Sequence, residues 1–235
     1  MSLAREGFEQ IYYVPYCAVC DEAIQPPLPS PFVCLGCLQK LPFRMDKEQI
    51  GWDETVPLYA TFFYREPLST MLISLKFSGR TDRARAIGPL LAMTVRRRHL
   101  EFDAIVPVPL HKKRLAERGY NQATLLAQVM SDELSIPVVE NLLIRPVDTS
   151  RQSQAGSAKE RRRHIKEAFA IQESSPVLEM LEGRTVLLLD DVLTTGATLA
   201  EAAKSLGEAG IGVVCFVAAT NKDRYTGYGD ILENW

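Results

Sequence analysis

The stretch that most constrains this chain is RTVLLLDDVLTTGATLAEAAKSLGEAGIGVVCFVAAT, residues 184–220. It opens on an unbroken apolar run, as a strand buried on both faces does. A loop of threonines around one glycine follows. Then comes TLAEAAKSLGEAG, a helix with Gly210 at its C-terminal stop. A second apolar run, IGVVCFVAAT, closes the unit, and Cys215 inside it reads as a small buried hydrophobe. Strand, helix, strand implies two parallel strands joined by a right-handed crossover. The expected fold class is α/β, a parallel sheet flanked by helices, with ligands beyond the carboxyl ends of the strands.

The same alternation begins near residue 55. VPLYATFFYR predicts a strand. PLSTMLISLKF predicts a helix with Met71, Leu72 and Leu75 at helical spacing. RARAIGPLLAMTVRRR predicts a helix kinked at Pro89. FDAIVPVP and PVVENLLIRP predict strands, and NQATLLAQVMSDEL between them a helix carrying Leu125, Leu126 and Val129 on one side. The sequence therefore divides into a small N-terminal unit (1–45), a helical extension or hood (46–100), the sheet core (101–222) and a polar tail (223–235).

The N-terminal unit differs from the rest. YCAVCDEAIQPPLPSPFVCLGCLQKLP holds five prolines, little periodicity and too few apolar residues for a core of its own, so it needs a staple. Cys17-x2-Cys20 and Cys34-x2-Cys37 supply one, with 13 residues between the pairs. Two such turns aim four thiolates at one point, the pattern of a tetrahedral structural Zn²⁺ site that leaves no position open for water. Disulfides are the competing reading, disfavoured in a reducing compartment. No Lys or Arg lies between Cys17 and Cys37, so this segment alone is not expected to grip phosphates.

Composition excludes little else. The net charge of −2 gives no global pull toward nucleic acid or membrane. No segment approaches the roughly 20 apolar residues of a membrane span. The opening MSLAREGFEQ has no apolar signal core, and a cytoplasmic location is expected.

Chemistry concentrates in VLLLDDVLTTGATL. Asp190 and Asp191 sit at the carboxyl end of the strand, and a helix starts near Thr198. A glycine turn feeding a helix N-terminus offers free N–H groups and a positive dipole end. The hydroxyls of Thr194, Thr195 and Thr198 add donors. That cup suits a phosphate monoester, and two carboxylates beside it suit vicinal hydroxyls. Together they describe a ribose 5-phosphate.

This block resembles the phosphoribosyl pyrophosphate (PRPP) motif of type I phosphoribosyltransferases. The resemblance implies that Asp190 and Asp191 hold the ribose 2′ and 3′ hydroxyls. It implies that Thr194, Thr195, Gly196, Ala197 and Thr198 cradle the 5-phosphate. The paired CxxC turns, LKFSGR (75–80), VPVPLHKKRLAERGYNQATLLA (106–127) and RRRHIKEAF (161–169) are similar to the ComF family, over roughly residues 14–220. Members are associated with competence, so single-stranded DNA and the competence machinery enter as candidate partners beside PRPP. The transferase resemblance assigns LHKKRLAERGYNQ to a loop against pyrophosphate, made cationic by Lys112, Lys113, Arg114 and Arg118, with Gly119 allowing close backbone approach. A solvated basic loop is the alternative. Residues 146–170 are expected to be a mobile lid carrying Arg151, Gln152, Lys159 and Arg161–Arg163, or else a basic linker. Within that tract His164 replaces the Asn usual in the family. Lys76 and Arg80 either reach phosphate oxygens from the hood or remain surface charge. Transferases of 6-oxopurines carry Asp where Thr194 stands, so hypoxanthine and guanine are not expected as substrates. Mg²⁺ is implied as the companion of PRPP, held mainly by the ligand's own oxygens. Arg114, Arg118 and Arg151 are the candidate catalytic cations. The expected activity is ribose 5-phosphate transfer to a nitrogen nucleophile. A non-catalytic role in DNA uptake is the alternative.

Overall fold

The computed structural model describes residues 15–24, 32–44, 50–51, 56–146, 168–172 and 175–221. In chain order these form α1 (Leu35–Leu38), β1 (Ile50–Gly51), β2 (Pro57–Phe63), α2 (Leu68–Phe77), α3 (Asp82–Arg97), β3 (Ala104–Pro107), α4 (Lys112–Arg118), α5 (Gln122–Leu134), β4 (Leu143–Ile144), β5 (Ala170–Ile171), α6 (Leu178–Leu181), β6 (Thr185–Leu193), α7 (Ala197–Glu208) and β7 (Gly212–Thr220).

The unit at 184–220 folds as its pattern dictates. β6 and β7 run parallel, with Val186 opposite Val213 and Leu188 opposite Cys215, and α7 makes the crossover. The sheet order is β1-β2-β7-β6-β3; only β1 pairs antiparallel. Val186 to Leu189 are all fully buried because both faces of β6 are covered. On one face Leu187, Leu189 and Phe216 share a core with α2, α3 and α5. On the other, Val186, Leu188 and Cys215 pack with Leu199, Ala202 and Leu206 of α7.

Of the segment expected as a hood, the described residues 56–100 also supply a strand to the sheet. β2 joins the sheet beside β7, pairing Leu58 with Cys215 and Phe62 with Ala219. α3 runs unbroken through Pro89, and its close approach to α5 centres on Gly88. A Cβ at Gly88 would lie 2.5 Å from Val129 Cγ1, so glycine is what allows that crossing. The strand expected over PVVENLLIRP is divided. Val138 bridges Ile105 in parallel, while Leu143–Ile144 pairs antiparallel with β5. The first piece is held by the Ile105 N–H donating to the Pro137 carbonyl and the Val139 N–H donating to that of Ile105, both at 2.9 Å.

The N-terminal unit sits on the first of the two cores. Cys17, Ala18, Ile24, Val33, Cys37 and Leu41 are buried in the cluster that holds Leu75, Ile87 and Leu91. Asp21 bridges the same contact from outside, at 2.8 Å from Arg80 Nη2 and 3.4 Å from Arg83 Nη2. No described helix is long and apolar enough to cross a membrane.

Candidate functional site

β6 carries Asp190 and Asp191 beyond its apolar run and out to the carboxyl edge of the sheet. Successive strand residues point to opposite faces. Asp191 therefore follows Leu187 and Leu189 toward the α2 side, where Lys76 Nζ meets its Oδ2 at 2.7 Å. Asp191 is 4% exposed, so this ion pair is what makes its burial tolerable. Its Oδ1 accepts the Val192 N–H at 2.9 Å. Asp190 is half-buried on the α7 side, and its Oδ1 accepts the Asp191 N–H at 2.8 Å. Loss of water around it, with the Asp191 charge adding, raises its carboxyl from 3.8 to about 7.

Beyond the acids, Gly196 takes a left-handed φ of 83° and is the N-cap of α7. The Thr195 hydroxyl accepts the Ala197 N–H at 3.4 Å. Thr194 and Thr198 turn toward a cleft of about 730 Å³. Asp190, Asp191, Lys76, Arg114 and Arg118 line the same cleft. Thr195, Gly196 and Ala197 do not line it; they shape the turn that aims Thr194 and Thr198.

The basic segment after β3 is a helix, not the loop expected. His111 caps it, with Nδ1 accepting the Lys113 N–H at 3.4 Å, and α4 runs from Lys112 to Arg118. Helical spacing puts Arg114 and Arg118 on one face, toward the cleft. Lys112 and Lys113 are exposed and line no part of it. Gly119 is also outside it: with φ at 84° it ends α4 as a left-handed cap. The next turn is tied down on both sides. Tyr120 Oη donates to the Leu75 carbonyl at 2.5 Å, and Asn121 Nδ2 donates to the Val108 carbonyl at 2.9 Å. Arg118 Nη1 donates to Gln122 Oε1, and its guanidinium lies over Phe77, 5.3 Å from the ring centroid. Burial lowers the Arg118 pKa, against a smaller opposing pull from Asp191.

Arg80 does not reach the cleft; it pairs with Asp82 and Asp21 and joins the hood to the N-terminal unit. Arg151, Gln152, Lys159, Arg161–Arg163 and His164 lie outside the described residues. Among the residues that sequence reasoning missed, Phe77, Ile73 and Arg145 line the cleft. Arg145 stacks on Phe169 at 5.1 Å. Its position at the end of a strand, just before the basic tract, was the available signal.

At the N-terminus, the four Sγ atoms of Cys17, Cys20, Cys34 and Cys37 converge within 4.8 Å of one another. Cys20 and Cys34 are 4.0 Å apart, and all described cysteines are free. Tetrahedral Zn–S bonds of about 2.3 Å place sulfurs roughly 3.8 Å apart, so the donor set fits such an ion. Burial pushes the Cys17 thiol up, but N–H groups of Cys34, Cys20 and Val19 outweigh it and bring the pKa to about 7. Amides aimed at sulfur stabilise a thiolate, the form that binds metal.

The matches to known proteins fall on the same parts of the chain. A family model for the phosphoribosyl transferase domain matches residues 120–231. The chain is 37% identical over 221 residues to competence protein F of Haemophilus influenzae, covering 90% of this chain and 89% of that one. This chain belongs to the ComF family. Among its ComF relatives are DNA utilization protein YhgH of Escherichia coli K12, 35% identical over 84% of this chain and 82% of that one, and competence protein ComFC of Bacillus subtilis, 29% identical over 64% and 58%. Adenine phosphoribosyltransferase of Leishmania tarentolae aligns with a TM-score of 0.42 at 15% identity, over 75% of this chain and 95% of that one. The family-model match and the parallel sheet flanked by helices give the ComF protein a type I phosphoribosyltransferase fold, with a four-cysteine cluster near its N-terminus. The family model begins at Tyr120, after α4, so Lys76, Arg114 and Arg118 reach the cleft from outside the matched segment.

Proposed function

We propose that this protein binds Mg·PRPP in the 730 Å³ cleft and transfers its ribose 5-phosphate to a nitrogen nucleophile, releasing pyrophosphate. The observation that carries the reading is the convergence of Asp190, Asp191, Thr194 and Thr198 from one side of the cleft with Arg114 and Arg118 from the other. The carboxylates accept from the ribose 2′ and 3′ hydroxyls. The 5-phosphate sits at the N-terminus of α7, where N–H groups without intrahelical partners and the helix dipole favour an anion. As the acceptor nitrogen bonds to C1, the bond from C1 to the pyrophosphate oxygen breaks and its electron pair leaves with pyrophosphate. Arg114 and Arg118 stabilise that developing charge, with Arg151 proposed to join them. The acceptor's surplus proton passes to solvent or to the leaving group. Among the described residues, the only carboxylates lining the cleft are Asp190 and Asp191, and Asp191 already holds Lys76. Magnesium would therefore arrive on PRPP and be held mainly by its oxygens. In the N-terminal unit, Cys17, Cys20, Cys34 and Cys37 are proposed to hold a structural zinc. Metal analysis of protein purified without chelator is expected to find it, and protein free of zinc would count against the assignment.

Calorimetry with Mg·PRPP tests the main reading. The parent protein is expected to bind and the combined Asp190→Ala, Asp191→Ala variant is not. A parent that fails to bind removes the reading. A second function has support in the names of the relatives, which refer to competence and DNA utilization. In it the cleft holds a ribose phosphate or single-stranded DNA without turnover. PRPP binding with no pyrophosphate release across a panel of bases would favour it. Salt-sensitive DNA binding that survives the double substitution would put DNA outside the cleft.

A further inference from the structure

Asp21 follows the first CxxC pair directly, and its backbone closes that turn. Its N–H donates to the Cys17 carbonyl at 2.9 Å, and its φ is left-handed at 57°. Aspartate tolerates that region without preferring it, so the turn imposes the conformation. The carboxylate fixed in this way accepts from Arg80 Nη2 at 2.8 Å and from Arg83 Nη2 at 3.4 Å. Asp82 grips Arg80 as well, its two oxygens accepting from Nε and Nη2 at 2.9 Å. The Arg80 N–H donates back to the Ser74 carbonyl of α2 at 3.4 Å. Lys76 leaves the end of the same helix and meets Asp191 at 2.7 Å. Burial does not hold the link from α2 to α3. Phe77, Ser78 and Gly79 are exposed, and a Cβ on Gly79 would stand in open space. The link is therefore placed by polar contacts, and Arg80 and Arg83 supply those that reach the N-terminal unit.

We propose that Asp21 is a positioning residue that joins the cysteine cluster to the cleft, so that a metal in the cluster and a ribose phosphate in the cleft raise each other's affinity. This rests on the ribose-clamp and structural-zinc readings above. With the cluster loaded, the Cys17–Cys20 turn is fixed. Asp21 is fixed with it, and through Arg80 and Arg83 so is the turn that follows Lys76. Lys76 then stays on Asp191, the acid that has to accept from a ribose hydroxyl while buried. With the cluster empty, the turn is free to open and Asp191 loses a defined counter-charge. An exposed ion pair alone would transmit little of this. Arg83 makes the difference, because its guanidinium is buried and, among the described residues, Asp21 is the carboxylate it contacts. Two sites linked through one such element must affect each other by the same factor.

Zinc and ribose 5-phosphate are the probes, both used on the full chain. Asp21→Asn keeps the size of the side chain and tolerates the left-handed φ. Calorimetry should show the zinc-loaded variant binding ribose 5-phosphate about five-fold more weakly than the zinc-loaded parent, the low end of usual coupling between sites. Competition for zinc against a chromophoric chelator reads the reciprocal effect. Saturating ribose 5-phosphate should raise the parent's zinc affinity by the same factor and leave that of Asp21→Asn unchanged. Adding Arg83→Met removes the buried cation that the first substitution strands. The double variant should regain most of the lost stability and none of the ribose 5-phosphate affinity, and it replaces the single variant if that one does not fold. A double variant that regains both reduces Asp21 to a structural role and overturns the proposal. Zinc affinity in the parent that ignores ribose 5-phosphate, or equal sugar-phosphate affinity in parent and Asp21→Asn, overturns the link and leaves the clamp standing. A parent that takes up no zinc does the same. A zinc-loaded parent that binds no ribose 5-phosphate overturns the clamp and the link together.

Discussion

Two adjacent aspartates have different environments here because a strand alternates its faces. Asp191 turns toward α2 and is neutralised by Lys76. Asp190 turns toward α7, has no cation in contact among the described residues, and is raised to about 7 by burial and by Asp191. Between its ordinary value of 3.8 and about 7, the folded protein keeps a proton that the unfolded chain has released. Stability contributed at this position therefore falls as pH rises through that window. Asp190→Asn removes the titration, so its urea midpoint should gain on the parent's between pH 5 and pH 7.5. A gap between the two that is constant across the window would refute this. Binding has the opposite slope. An ionised Asp190 is the better acceptor for a ribose hydroxyl, so affinity for ribose 5-phosphate should lose part of its rise with pH in Asp190→Asn.

At the scale of elements, a helix performs what a basic loop could not. Because 111–119 winds into α4, Arg114 and Arg118 share one face and Lys112 and Lys113 do not. Gly119 closes that helix with a positive φ. The other element contact that decides the site is the α3–α5 crossing. It sets where α5, with the Asn121 and Gln122 that hold the loop and Arg118, stands against the hood. Val129 Cγ1 would lie 2.5 Å from a new Cβ at Gly88. Gly88→Ala is expected to destabilise by about 1–3 kcal/mol, as overpacking does. Adding Val129→Ala should recover part of it. Urea unfolding of both variants measures this, and a Gly88→Ala protein as stable as the parent would show that the helices part freely.

Across the whole molecule, the N-terminal unit is an added piece of the first core, joined to the turn that feeds the cleft. Within residues 75–83, Leu75 accepts from Tyr120, Lys76 holds Asp191, Phe77 stacks with Arg118, and Arg80 and Arg83 meet Asp21. Arg83 is 5% exposed, and among the described residues its Nε and Nη1 have no hydrogen-bond partner. Asp21 is thus the counter-charge for a buried guanidinium. Asp21→Ala is expected to cost about 1–3 kcal/mol by leaving that cation uncompensated. Arg83→Met in the same chain should return most of it. Equal urea midpoints for Asp21→Ala and the parent would make the bridge a surface pair of no consequence.

The sequence alone determined what is local. The apolar period and its punctuation yield the β6–α7–β7 unit and most helices, because burial on two faces and helix termination are written in neighbouring residues. The two CxxC turns and the DD-loop-helix block were legible for the same reason: each set of ligands is close in the chain. What lies far apart in the chain only the tertiary structure decided. It sent Lys76 to Asp191 and Arg80 to Asp21, although both cations sit in one short motif and read alike. It drew Pro57–Phe63 into the sheet as β2, since strand pairing depends on a partner more than 150 residues later. It also set Phe77 against Arg118 in the cleft that the two acids line, a contact that the string LKFSGR does not carry.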